Sequence, residues 1–253
     1  MTLPRYRFTG IIPARYASSR FPGKPLVMIS GKPMIQRVYE QASRVLGKVF
    51  VATDDSRIYD AVLNFGGKAL ITSPLHRSGT DRCAEAVDVI FSSGKSDMDV
   101  IINVQGDEPF IKPEQISLLM SCFSDSSVEI ATLVRKVKQQ EDIVNPNHPK
   151  VVIGLNGDAI YFSRSVIPYI RDSEIDKWTS EHIYFKHVGL YAYTTGVLKK
   201  IAVLPQSPLE KAESLEQNRW LENGFKIRTA VTEWESHCID TPEDLEKLNV
   251  RLD

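Results

Sequence analysis

Short, continuous apolar runs alternate with helical stretches over residues 1 to about 125, and this alternation restricts the fold more than any other feature of the chain. Phe8, Ile11 and Ile12 open the series as a buried strand, which Pro13 is expected to end by withholding a ladder donor. Residues 33–46 read as a helix with Met34, Ile35, Val38, Ala42 and Val45 on one face. Residues 49–53 read as a second strand. Asp55 or Ser56 then caps a helix through Ile58, Ala61, Val62 and Phe65, which Gly66 and Gly67 terminate. Residues 68–72 return to the sheet, and a helix from Thr80 carries Ala84, Val87 and Phe91. Residues 100–105 suit a central strand covered on both faces. The series predicts an α/β fold built on a doubly wound, mostly parallel sheet.

The second half is less regular. Residues 129–137, 150–155 and 159–163 read as strands, separated by turns at 145–149 and 156–158. Residues 210–221 look helical and 226–232 extended, and a closing helix is expected over 242–252 with Thr241 as its N-cap. We read residues 1–253 as a single domain with an inserted lobe over approximately 129–205. Lysine plus arginine total 31 against 32 acidic residues, a balance that leaves no footprint for a nucleic-acid partner. Cys83, Cys122 and Cys238 are odd in number and show no CxxC or zinc spacing, which fits a reducing compartment. No stretch approaches ~20 uninterrupted apolar residues, so stable membrane insertion is not expected, and a cytoplasmic protein is.

Chemistry gathers at the ends of the expected strands. The segment IIPARYASSRFPGKPL, residues 11–26, holds Arg15, Arg20 and Lys24 within one loop's reach, and Gly23 lets backbone amides approach an anion closely. It has neither the GxxxxGK[ST] nor the GxGxxG pattern, so both common phosphate fingerprints are absent. A solvated basic loop is the competing reading. Asp107 follows the 100–105 strand and a glycine, where open α/β sheets present groups to ligands, although GDEP also makes an ordinary turn. Asp240 precedes Thr241-Pro242-Glu243-Asp244, where helix capping alone explains an acidic cluster. The five histidines form no HExxH, and Ser163 lacks a GxSxG setting, so neither a zinc hydrolase nor a serine esterase is indicated.

The segment 11–26 followed by GKPMIQRVYEQA resembles the opening of the CMP-Kdo synthetases, the 3-deoxy-manno-octulosonate cytidylyltransferase family of sugar nucleotidyltransferases. The likeness continues in order through VFVATDD (49–55), HRSGTDR (76–82), NVQGDEPFI (103–111), YFSRSVIPY (161–169), HVGLYAY (187–193), SPLEKAESLEQNRWL (207–221) and IDTPEDLEKL (239–248). It implies a nucleotide-diphospho-sugar transferase fold whose inserted lobe binds sugar and dimerises. It implies transfer of CMP from CTP to the anomeric hydroxyl of Kdo, giving CMP-Kdo and pyrophosphate for lipopolysaccharide biosynthesis. By the same resemblance Ala14, Arg15, Arg20 and Lys24 hold the triphosphate, and Ser78, Gly79, Arg82 and Gln105 meet the nucleoside. Asp107 and Asp240 bind Mg²⁺, while Gln105, Arg164, His187, Tyr191, Glu216 and Gln217 recognise the acidic sugar. Arg15 and Lys24 join the two aspartates as the catalytic set. A homodimer is implied, with the apolar run 166–170 available to cover a partner. Gly154 departs from the family pattern at a turn, and Arg5 and Arg7 are not carried into the site. An amino-substituted Kdo or another acidic sugar remains an alternative substrate, and a catalytically silent nucleotide-binding protein an alternative role.

Overall fold

The computed structural model of the chain describes residues 6–17, 21–94, 98–235, 238–239 and 241–245. They fall into two compact units, within Arg5–Ser117, Ala192–Ala202 and Ser236–Asp253, and within Leu118–Tyr191 and Val203–Glu235. In the first unit the chain runs through β1 (Phe8–Ala14), a small antiparallel pair β2 (Met28–Ile29) and β3 (Lys32–Pro33), α1 (Met34–Ser43) and β4 (Val49–Thr53). It continues through α2 (Ser56–Asn64), β5 (Ala69–Ile71), α3 (Gly79–Ser92) and β6 (Val100–Asn103).

The four sheet strands of this unit lie side by side as β6-β1-β4-β5, every neighbouring pair parallel. The path advances from β1 to β4 to β5, then returns to the far side of β1. With right-handed crossovers, that reversal puts α1 and α2 on one face of the sheet and α3 on the other. Covering both faces explains why the strands are apolar without alternation: Ile11, Ile12, Val51, Ala52, Val100, Ile101 and Ile102 are all fully buried. Ile35, Val38 and Ala42 of α1, Ile58 and Val62 of α2, and Ala86, Val87 and Ile90 of α3 supply the opposing layers. Each large aliphatic side chain so removed from water contributes about 1.5–3 kcal/mol. The reversal at β1 also creates a crevice beyond the carboxyl ends of β1 and β6, the place where such sheets take ligands.

Helix α4 (Pro113–Ser121) leads the chain into the second unit, which contains β7 (Ile130–Lys136), α5 (Gln140–Val144), β8 (Lys150–Ile153), β9 (Ala159–Ser163) and α6 (Trp178–Glu181). Strand β10 (Phe185–Thr194) leaves it and α7 (Thr195–Ala202) belongs to the first unit; α8 (Pro208–Glu213), α9 (Glu216–Glu222) and β11 (Arg228–Val231) complete the second. Its strands run β11-β7-β10, with β8 antiparallel to β10 and β9 antiparallel to β8.

Three expectations need correction. Pro13 does not end β1, which stays in register with β4 through Ala14 opposite Thr53. Gly10 donates to Lys48 on the β4 side, so by strand alternation the missing Pro13 donor faces the β6 side, where pairing has already stopped at Ile11 opposite Asn103. The single helix expected over 210–221 is two helices, broken at Ser214 with φ +51°. Arg7, which is not carried into the site, is firmly bonded elsewhere: its backbone N–H and Nε donate to Asp99 Oδ2 at 2.8 and 2.9 Å, and Nη2 donates to Oδ1 at 2.9 Å. The helix expected over 33–46 is shorter, ending at Ser43. Of the closing helix only residues up to 245 are described, and there Thr241 caps as expected, accepting from Asp244 N at 3.3 Å while Asp244 Oδ2 accepts from Thr241 N at 3.0 Å.

Candidate active site

The loops that leave β1 and β6 meet the start of α3 in one cleft of the first unit, lined by Ala14, Arg15, Lys24, Ser78, Gly79, Arg82, Gln105 and Asp107 together with Pro13, Pro25, His76, Arg77 and Gly106. Eight of the residues expected to meet nucleotide or metal are therefore brought together. Two more, Arg20 and Asp240, lie outside the described residues.

Close backbone approach shapes this cleft. A Cβ on Gly106 would fall 2.8 Å from the Pro13 carbonyl oxygen, so only glycine lets the β6 loop pass over the end of β1 and deliver Asp107. Gly79 packs α3 onto Pro13, where an added Cβ would sit 3.1 Å from the ring. Ser78 is the N-cap of α3 in a capping box: its Oγ accepts from Asp81 N at 3.1 Å, and Asp81 Oδ2 accepts from Ser78 N at 3.3 Å. The helix begins at Gly79 rather than Thr80, so its positive end borders the cleft and favours an anion there.

The charged groups are arranged for a polyanion and a cation at once. Lys24 Nζ donates to Asp107 Oδ2 at 2.7 Å, within a partly buried pair. Gly23, with φ +72°, turns the chain into the short helical turn that begins at Lys24, and its N–H donates to the Tyr16 carbonyl at 2.9 Å. Arg82 is buried, with Nη1 donating to Thr72 Oγ1 at 2.6 Å and Nη2 to Asp54 Oδ2 at 3.1 Å, so its guanidinium is held rigidly where it reaches the lining. His76 Nε2 bonds Glu85. Burial pushes the Glu85 carboxyl up, but the Ser73 amide and His76 outweigh it and hold it below its ordinary value.

Among the described lining residues Asp107 is the one carboxylate, and no group of three or more His, Cys, Asp or Glu among the described residues forms a metal cage. That donor set fits Mg²⁺, which takes one or two carboxylates and completes its shell with phosphate and water oxygens. The chain just before Asp240 runs against Asp107: Ile239 N donates to the Asp107 carbonyl at 3.0 Å, and Cys238 Sγ lies 3.3 Å from Glu108 Oε1.

Of the residues expected to meet the sugar, Gln105 lines the cleft of the first unit, and the other five belong to the second unit. His187 packs its ring between Phe162 and Tyr191, at centroid distances of 5.3 and 5.2 Å, with Nε2 3.0 Å from Thr132 Oγ1. The residue retains some exposure, yet burial of the ring pushes the imidazole down to about 3, so it is neutral near pH 7. Tyr191 is buried with its ring 5.2 Å from Trp220, one helical turn from Glu216 and Gln217. Gln217 is not a solvated helix-face residue: it is only 5% exposed, and its Nε2 has no hydrogen-bond partner among the described residues. Glu216 Oε1 accepts from Arg219 Nη2 at 2.7 Å. Arg164 is engaged by main-chain carbonyls, donating from Nε to Glu213 at 2.7 Å, from Nη1 to Pro146 at 2.8 Å and from Nη2 to Ser214 at 3.4 Å.

Sequence reasoning missed three residues. His76 and Arg77 line the cleft directly before the expected Ser78, and their place in the HRSGTDR block was an available signal. Glu213 accepts from Ser163 Oγ, Tyr161 OH and Arg164 N at 2.6, 3.3 and 2.9 Å, and its place in the 207–221 block was the available signal.

A family model described as cytidylyltransferase matches residues 9–227. A Parabacteroides distasonis protein named 3-deoxy-manno-octulosonate cytidylyltransferase is 58% identical over 95% of this chain and 96% of its own length. A Bacteroides thetaiotaomicron protein of the same name is 54% identical over 94% and 95%. The solved structure of CMP:2-keto-3-deoxy-manno-octonic acid synthetase complexed with CTP superposes with a TM-score of 0.86 at 45% identity, covering 97% of this chain and 98% of that one. An ordered loop chemistry, a parallel sheet reversing at the cleft and relatives matched over nearly their whole lengths lead to one conclusion: this chain belongs to the cytidylyltransferase family, among the 3-deoxy-manno-octulosonate cytidylyltransferases.

Proposed function

We propose that this protein transfers CMP from CTP to the anomeric hydroxyl of Kdo, releasing pyrophosphate. The observation that carries the reading is the cleft itself, where Lys24, Arg15, Arg82 and the start of α3 surround Asp107 at the sheet's reversal point. A related enzyme matched over 97% of the chain is solved with CTP, which supports the same nucleotide here.

In this reading Arg15, Arg20 and Lys24 hold the triphosphate with Ala14, and Lys24 offsets the charge that grows on departing pyrophosphate. Ser78, Gly79, Arg82 and Gln105 orient the nucleoside. Mg²⁺, held by Asp107 and Asp240, supplies neutralising charge at the phosphates. Gln105, Arg164, His187, Tyr191, Glu216 and Gln217 recognise the sugar; with Nε2 engaged by Thr132 Oγ1, neutral His187 offers it the remaining ring nitrogen, Nδ1. Because Arg164 already serves three carbonyls, its remaining N–H groups would meet the sugar carboxylate. Direct transfer at phosphorus then depends on positioning and electrostatics rather than a protein nucleophile.

We place the reaction in the cytoplasm, consistent with three cysteines that show no CxxC or zinc spacing; among the described residues no helix is long and apolar enough to cross a membrane. We also propose a homodimer. Of the 166–170 run, Val166 and Ile170 pack on Val137, Ile143, Trp178 and Tyr184 inside the second unit, leaving Tyr169, 75% exposed, as the residue available to a partner. A single-chain mass of 28.5 kDa at every concentration in light scattering would remove the dimer.

The reaction is tested by incubating the protein with CTP, Kdo and Mg²⁺ and following CMP-Kdo by mass spectrometry. Equimolar CMP-Kdo and pyrophosphate are expected. Pyrophosphate release that ignores Kdo, or product only with a different sugar, would overturn the assignment.

A further inference from the structure

The loop that carries Lys24 is braced from outside the cleft. Tyr16 and Gly23 close this loop at its base through the Gly23 N–H bond to the Tyr16 carbonyl, 2.9 Å long. The Tyr16 ring fills the space beside Gly23 so tightly that a Cβ there would lie 3.2 Å from the phenol carbon and oxygen. On that ring rests Arg57, its guanidinium carbon 3.3 Å from the ring centroid. Arg57 is itself aimed: its Nε donates to Asp55 Oδ1 at 2.9 Å and its Nη2 to Asp55 Oδ2 at 2.7 Å. Asp55 is in turn fixed as the N-cap of α2, accepting from Arg57 N at 2.9 Å. The strand β4, the cap of α2, the guanidinium and the Tyr16 ring thus form a continuous brace ending at the residue before Lys24.

We propose that Arg57 is a positioning residue for the nucleotide, stacking on Tyr16 to hold the phosphate loop in its binding shape. The inference rests on the nucleotide reading of the cleft. Arg57 does not line the cleft, and its side chain is 58% exposed, so a role in packing the core does not account for the stack. Arginine suits this position because its planar cation covers an aromatic face and forks onto a carboxylate simultaneously, which lysine cannot do. The gain appears as preorganisation: a loop already in shape costs less to order when the triphosphate arrives.

The test compares Arg57→Met, Arg57→Lys and Tyr16→Leu with the unaltered chain, using calorimetric CTP titrations with Mg²⁺, thermal unfolding, and turnover at saturating CTP and Kdo. A stack at an exposed site predicts CTP binding weaker by roughly two- to fivefold in Arg57→Met. Turnover at saturation should be unchanged, and Arg57→Lys should restore only part of the loss. Because both side chains form one brace, Arg57→Met added to Tyr16→Leu should weaken binding no further. Equal CTP affinity in Arg57→Met and the unaltered chain, or independent losses in the double variant, would overturn the inference while leaving the nucleotide reading intact. Failure of the unaltered chain to bind CTP would instead overturn that reading, and the inference with it.

Discussion

Lys24 and Asp107 satisfy each other across 2.7 Å, and this sets how the cleft must respond to its ligands. A triphosphate arriving alone has to draw Lys24 from its partner while facing the Asp107 carboxylate. A divalent cation arriving alone has to draw Asp107 away while facing an ammonium. In the proposed reading the two arriving together would exchange partners, lysine to phosphate and carboxylate to metal, which would couple their binding. CTP affinity should therefore rise with Mg²⁺ in the unaltered protein. Asp107→Asn should bind metal-free CTP more tightly than the unaltered protein and lose most of the response to Mg²⁺. Lys24→Met should bind CTP at least about tenfold more weakly, the loss that ~1.4 kcal/mol of a charge-assisted contact represents. Titration calorimetry with and without chelator checks all three, and an undiminished Mg²⁺ response in Asp107→Asn would remove Asp107 from the metal. At this scale the residue types, two arginines and a lysine around a glycine and an aspartate after a buried strand, marked the place, but a solvated basic loop and an ordinary turn stayed open as readings until the family resemblance gave them a shared chemistry and the fold brought Lys24 and Asp107 together.

Elements were legible where local pattern and tertiary need agreed. The strands β1, β4 and β6 were evident because a sheet covered on both faces demands unbroken apolar runs, and α2 because Asp55 caps it by the usual side-chain bond. Pro13 misled because its missing donor matters only if a neighbour needs it, and the β6 side no longer does. The break between α8 and α9 had no glycine or proline to announce it. It follows from a residue about fifty positions away: Arg164 takes the Glu213 and Ser214 carbonyls that a continuing helix would have used. Helix α3 shows one element serving stability and site together, since Ser78 both caps it and lines the cleft. Ser78→Ala should lose about 1 kcal/mol of stability. For a chain of this size that corresponds to a fall of about 2–4 °C in Tm. CTP binding should weaken in the same variant, and Ser78→Thr should recover both. Calorimetric unfolding paired with CTP titration reads the outcome, and an unchanged Tm would show that the capping bonds do not contribute.

Across the whole molecule, the least legible features are those that join distant stretches of chain. Glu213, Tyr161, Ser163 and Arg164 form one network whose members sit in two separate blocks of the sequence, 161–169 and 207–221, and nothing in either block shows that the two meet until the fold assembles them. The C-terminal segment makes the longest such connection, packing Ile239 with Ile29 and Met34 and bonding its amide to the Asp107 carbonyl. That bond joins Ile239 to Asp107 across 132 positions of the chain, and the proposed cation site would draw its second carboxylate from Asp240, which lies outside the described residues. Asp107→Asn and Asp240→Asn should each reduce Mg²⁺-supported turnover by orders of magnitude, every ~1.4 kcal/mol of transition-state stabilisation being worth about tenfold. The double variant should lose less than the two single losses combined, because a shared site already broken by one change has little left for the second to remove. Thr241 and Asp244 already cap the following helix, so a purely structural Asp240 would have little to add there. If Asp240→Asn lowers thermal stability while the metal dependence of turnover stays intact, or if the two losses simply multiply in rate, the shared cation site is wrong and Asp107 acts without it.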